Sequence, residues 1–174
     1  MRNLGWALCL AILFGTSPLM AQGDAAAART AAGCGPLGVQ YDVKTDESQH
    51  TVAPVPADKA VIYVFEDEFN GLTMRIGADG AWVGATHSRS YLFFTVTPGE
   101  HRVCMEWQTS LNKKTAPVGA ALAFATEAGK AYYLRVTFRE MGRTLPLANM
   151  ELANEAEGKF LIAASALSSS QVKK

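Results

Sequence analysis

Between Lys59 and Leu152 the chain is a series of short runs in which apolar and polar residues alternate, broken by glycine or proline turns about every ten residues. Strands send successive side chains to opposite faces, so a period of two sorts one apolar set to a core and one polar set away from it. Runs this short and this regular predict an all-β, antiparallel β-sandwich of about 7–8 short strands.

Ala60–Phe65 is continuously apolar and rich in β-branched and aromatic residues, which suits a central strand covered on both faces. Leu72, Met74 and Ile76 alternate with Thr73, Arg75 and Gly77, and Asp79-Gly80 supplies a tight hairpin turn before Ala81–Gly84 returns. Leu92, Phe94 and Val96 alternate with Tyr91, Phe93 and Thr95; after Pro98-Gly99, Val103, Met105 and Trp107 alternate with Arg102, Cys104 and Glu106, which reads as a second hairpin. A polar loop, Thr109–Pro117, leads to Val118–Ala125, which fits strand or helix, and Tyr132–Arg139 is a half-exposed strand. Asn154–Ala164, with Glu155 and Glu157 in its first turn, predicts a short C-terminal helix capping an edge.

The segments flanking this region set organisation and compartment. Arg2, an apolar run Leu4–Phe14 and small residues up to Ala21 have the form of an export signal, expected to be cut after Ala21. Residues 22–58 read as an extended lead-in, with Val39, Tyr41 and Val43 suggesting one strand; 59–166 is the sandwich domain; 167–174 is a polar tail expected to be disordered. No stretch of the mature chain is apolar enough to span a membrane. Losing Arg2 leaves basic side chains one fewer than the 16 acidic ones, a balance that argues against a nucleic-acid partner. The expectation is a periplasmic or secreted protein, the alternative being a lipid anchor at Cys34 behind Ala31-Ala32-Gly33. Cys9 leaves with the signal, so Cys34 and Cys104 are the pair that could form a disulfide; the other reading is two free thiols.

The segments Lys59–Val64, Asp79-Gly80, Ser90-Tyr91, Pro98–His101 and Ala128–Tyr133 are together similar to the bacterial domain of unknown function family 2846, over about Lys59 to Glu151. The resemblance implies an exported or lipid-anchored envelope protein, and it carries no catalytic residues to transfer.

No nucleophile-elbow, zincin, dithiol or phosphate-loop pattern occurs, so no catalytic residue, cofactor or metal site is assigned. His50, His87 and His101 lack ligand spacing, and Glu66-Asp67-Glu68 with Asn70 offers too few oxygens for calcium. Strand parity places Arg75, Arg102, Arg135 and Arg139 away from the core together with Tyr91, Phe93 and Tyr133, a candidate binding face for an envelope polymer or protein. An ordinary sheet face would instead pair its arginines with Glu106. If Cys34 bonds Cys104, the lead-in must cross that face. The leading expectation is a non-enzymatic binding or structural module. The alternatives are a small-ligand carrier with a cavity beside the alanines at 120, 121, 123 and 125, and a hydrolase using loop residues such as Asp67, Glu68 and His87.

Overall fold

The structure, a computed structural model, describes residues 20–67, 71–108, 119–139 and 147–174. The elements run α1 (Met20–Ala31), β1 (Tyr41–Asp46), β2 (Ala60–Glu66), β3 (Thr73–Ala78), β4 (Ala81–His87), β5 (Ser90–Val96), β6 (Gly99–Trp107), β7 (Gly119–Thr126), β8 (Ala131–Arg139), β9 (Leu147–Ala153), α2 (Glu155–Ala164) and β10 (Ala166–Val172). Among the described residues ten strands form two sheets, sheet A in the order β1-β10-β5-β2-β8-β9 and sheet B in the order β4-β3-β6-β7. The sandwich is therefore as expected, with more strands than 7–8 and with two parallel pairs, β2 with β8 and β10 with β5, among antiparallel ones.

Parity builds the core. Ile62, Val64, Leu92, Leu134 and Val136 of sheet A meet Met74, Ile76, Val103 and Met105 of sheet B, with Trp107 and Phe124 closing the layer. β2 is buried along its whole length in the middle of sheet A, as its unbroken apolar run requires. The β3–β4 hairpin turns through Asp79 (φ 51°) and Gly80 (φ 89°), both left-handed as a two-residue hairpin turn demands.

Several expectations are corrected. Pro98-Gly99 does not close a hairpin: β5 belongs to sheet A and β6 to sheet B, so the turn carries the chain between layers. The lead-in is not simply extended, because Met20–Ala31 is helical. The serine-rich tail is strand β10, paired with β1 from Leu167 to Val172 and with β5 at Ala166 and Leu167; backbone pairing needs no apolar side chains, so composition hid it. The ambiguous alanine stretch is strand β7 at the edge of sheet B, and Ala121, Ala123 and Ala125 are exposed there; of the four alanines only Ala120 packs on the core. The polar loop Thr109–Pro117 lies outside the described residues, as do nearly all of the segment expected to be an export signal, Glu68 and Asn70.

Helix α2 covers the outer face of sheet A and not an edge. Asn154 caps it by accepting the Glu157 N–H, and Leu161 and Ile162 pack on Tyr63, Phe65, Tyr91 and Tyr133. Gly158 permits this approach, since a Cβ there would overlap the Tyr133 ring.

Candidate functional site

The outer face of sheet B carries Arg75, Arg102, Cys104 and Glu106, the parity opposite to Met74, Val103 and Met105. Arg75 and Glu106 are direct cross-strand partners, with Nη2 2.5 Å from Oε2, and both are nearly fully buried. Burial takes water from them because α1 and the irregular stretch after it lie on top. Arg29 of α1 adds a second guanidinium to Glu106, its Nη1 bonded to Oε1 and its Nη2 2.8 Å from Oε2. The Arg75 guanidinium also stacks 4.6 Å from the Trp82 ring centre. Burial pulls its pKa below the ordinary arginine value, and Glu106 opposes that shift. The disulfide Cys34–Cys104, with Cα atoms 5.1 Å apart, fixes the covering segment, here called the arm, to β6.

The tip of the β3–β4 hairpin is clamped to the same sheet. His101 places Nδ1 2.6 Å from Asp79 Oδ2 and Nε2 2.6 Å from the Thr97 carbonyl. Both partners accept, so the ring donates from both nitrogens as an imidazolium. Burial opposes the charge, but the hydrogen bonds from Asp79 and Thr97 outweigh it and raise the His101 pKa above its ordinary value. Burial likewise works to raise Asp79, yet the Arg102 N–H and the His101 ring leave it lowered.

The outer face of sheet A is a stack of rings. Tyr63 and Tyr133 lie 5.2 Å apart and Phe65 and Tyr91 5.4 Å apart, while Phe93 tilts against Tyr63 at 5.5 Å. The Ala53 N–H donates to the Tyr63 hydroxyl at 2.7 Å and the Tyr91 hydroxyl donates to the Thr51 carbonyl at 3.1 Å, which holds residues 51–53 over the rings beside α2. Arg135 bridges Asp67 (Nη2 to Oδ2, 2.5 Å) and Glu157 of α2 (Nη1 to Oε1, 3.1 Å).

The seven residues expected on one binding face therefore lie on two faces that point away from each other. Arg75 and Arg102 belong to sheet B, with Arg75 buried under the arm and Arg102 exposed. Tyr91, Phe93, Tyr133, Arg135 and Arg139 belong to sheet A, with Tyr91 and Tyr133 buried, Phe93 half-buried, Arg135 docking α2 and Arg139 exposed at the strand end. Parity assigned every one of them correctly to the outside of its strand, but it does not say which sheet a strand joins. Glu106 does pair with an arginine of the set.

One open concave surface is a cleft of about 540 Å³ where the β4–β5 turn meets the C-terminal end of α2, lined by His50, His87, Ser88, Arg89, Glu47 and Ser165 among others. Ser88 (φ 42°) and Arg89 (φ 41°) are consecutive left-handed residues without being glycine, each costing about 1 kcal/mol or more. Ser90 braces that turn, accepting the His87 N–H and donating to the His87 carbonyl, and Ser88 Oγ accepts the Gly71 N–H at 2.8 Å. His50 donates from Nδ1 to the Ile162 carbonyl at 3.0 Å. The cleft thus offers imidazole, guanidinium, hydroxyl and carboxylate groups for a polar ligand. Asp67 and His87, weighed as an acid–base pair, are bonded elsewhere, to Arg135 and Thr73. Among the described residues no three His, Cys, Asp or Glu side chains come together to hold a metal ion.

Sequence reasoning missed Arg29, Trp82, Gln108 and the Asp79–His101 clamp, each of which acts on a segment distant in the chain. The pair of glycines around Cys34 was the available signal for a close approach.

No curated protein matches the chain. Residues 56–146, just over half of its length and spanning β2 to β8, match the family described as protein of unknown function (DUF2846). That match covers the strands of both sheets that carry the core, the Arg75–Glu106 pair and Cys104, and on it the chain belongs to the DUF2846 family.

Proposed function

We propose that this chain is an exported, non-enzymatic β-sandwich module of the bacterial cell envelope that binds a polymer or protein there. The observation that carries the reading is the Cys34–Cys104 bond, which joins residues 70 apart in sequence. Structural disulfides persist in oxidising compartments, and the apolar Leu4–Phe14 run with its small-residue end supplies the route to one. The same bond occupies the sulfur that a lipid anchor at Cys34 would need, which favours the periplasmic or secreted form.

Much of both broad sheet faces is engaged by the chain itself, and the contact surface we assign to a partner is the polar cleft around His50, His87 and Arg89. Its strained turn points the same way, because conformations of this kind persist where the surrounding structure holds them for a purpose.

Periplasmic extraction followed by alkylation and mass measurement tests the compartment. A chain beginning near Gln22 with no alkylated thiol is expected, and a cytoplasmic chain with free Cys34 and Cys104 overturns it. Co-sedimentation with isolated cell-wall sacculi tests the partner: Arg89→Ala is expected to abolish it and Arg102→Ala to leave it. Sedimentation unaffected by Arg89→Ala removes the cleft from the reading.

A further inference from the structure

The stretch Gly33–Tyr41 is held on sheet B as a bound peptide is held, through its backbone. Trp82 Nε1 donates to the Pro36 carbonyl at 2.7 Å, and Arg75 Nη1 donates to the Val39 carbonyl at 2.7 Å. The Gln108 amide accepts the Tyr41 N–H at 2.6 Å and donates to the Tyr41 carbonyl at 3.0 Å. The Gly33 carbonyl takes the Gly80 N–H at 3.1 Å. Every one of these bonds reads main chain, and shape supplies the selectivity: a Cβ on Gly35 would sit 2.5 Å from the Trp82 ring. The receiving residues Arg75, Gly80, Trp82 and Gln108 all lie within the family-matched region, whereas the arm lies before it.

Residues 23–40 contribute no side chain to either apolar cluster, so the arm can leave sheet B without opening the sandwich. What retains it among the described residues is one covalent bond, the Arg29–Glu106 pair, the main-chain contacts above and the Lys173 N–H on the Gln40 carbonyl. A groove with these properties does not distinguish its own arm from an identical one.

We infer that the outer face of sheet B is a peptide-receiving groove that accepts Gly33–Gln40 of a second copy when its own Cys34–Cys104 bond is open. The bond then closes between Cys34 of one chain and Cys104 of the other. Its closure removes two electrons and two protons from the two thiols, and oxidised glutathione takes them up as two molecules of the reduced form.

The test mixes two full-length variants, both carrying Cys9→Ser, one with Cys34→Ser and the other with Cys104→Ser, in a glutathione redox buffer. The expected product is a linked heterodimer whose cross-linked peptide joins Cys34 to Cys104, dominant over either homodimer. Gly35→Leu in the copy that keeps Cys34 should abolish it, because the arm no longer seats over Trp82. Equal yields of hetero- and homodimers, or a heterodimer that survives Gly35→Leu, indicate random collision and overturn the inference. Circular dichroism checks that the variants are folded. If they are not, ¹⁴N- and ¹⁵N-labelled wild-type chains equilibrated in the same buffer give the answer, since a Cys34–Cys104 peptide of mixed isotope is required and its absence overturns the inference.

Discussion

The two outer faces of the sandwich are covered by opposite means. Sheet A is covered by apolar matter: α2 and residues 51–53 lie on a cluster of aromatic rings, and Arg135 trims the margin. Sheet B is covered by a segment with little apolar surface, fastened by a disulfide, a buried Arg–Glu–Arg cluster and main-chain bonds. Burial of apolar area is non-directional and tolerant of small shifts, whereas buried charge must be matched group by group. The first cover is therefore expected to weaken gradually on mutation, and the second to fail all at once.

Glu106→Ala is the strongest way to break the comparison. It leaves Arg75 buried without its carboxylate, and the stability lost is expected to be about 3–5 kcal/mol in urea unfolding. The double variant Arg75→Met/Glu106→Met should recover most of that loss, since an apolar pair needs no matching charge. A loss under about 1 kcal/mol for the single change would place these charges in the class of solvated surface pairs.

On the other face, Leu161→Ala is expected to cost about 2–3 kcal/mol as a buried large-to-small change. Hydrogen exchange should speed up in α2 and residues 51–53 while the arm keeps its protection. Faster exchange in both places would show that the covers are coupled through the core.

The smallest effect is one of pH and belongs to the His101–Asp79 clamp. A histidine whose pKa is raised on folding adds stability that is complete below the unfolded value of about 6.5 and fades as pH rises through the folded value. A lowered Asp79 adds stability that is complete above its unfolded value of about 3.9 and fades as pH falls through the folded one. Stability from the clamp is thus greatest between those limits. His101→Gln should flatten the alkaline decline in urea midpoint, and an unchanged decline would assign it to other groups.

The same contrast explains what the sequence made legible. Alternation in β3, β5, β6 and β8 marks inside and outside residue by residue, the unbroken apolar run of β2 marks the middle of a sheet, and the core follows from both. Sheet membership is not written in alternation: Pro98-Gly99 looks the same whether it folds a hairpin or passes the chain between layers, and that ambiguity merged two faces into one. Helix α2 was visible from Asn154 and its acidic first turn, but its place was not, because only Gly158 against Tyr133 records how closely it docks. The arm was hardest to read, since its contacts are main-chain atoms and any sequence with glycine at the right point offers those.

Strand β10 has one more implication. It lies between β1 and β5, so β1 has no other neighbour in sheet A until residues 166–172 are in place. During synthesis β2, β5 and β8 can pair before residues 166–172 emerge, whereas β1 waits for them, so that edge of the sheet is the late-forming one.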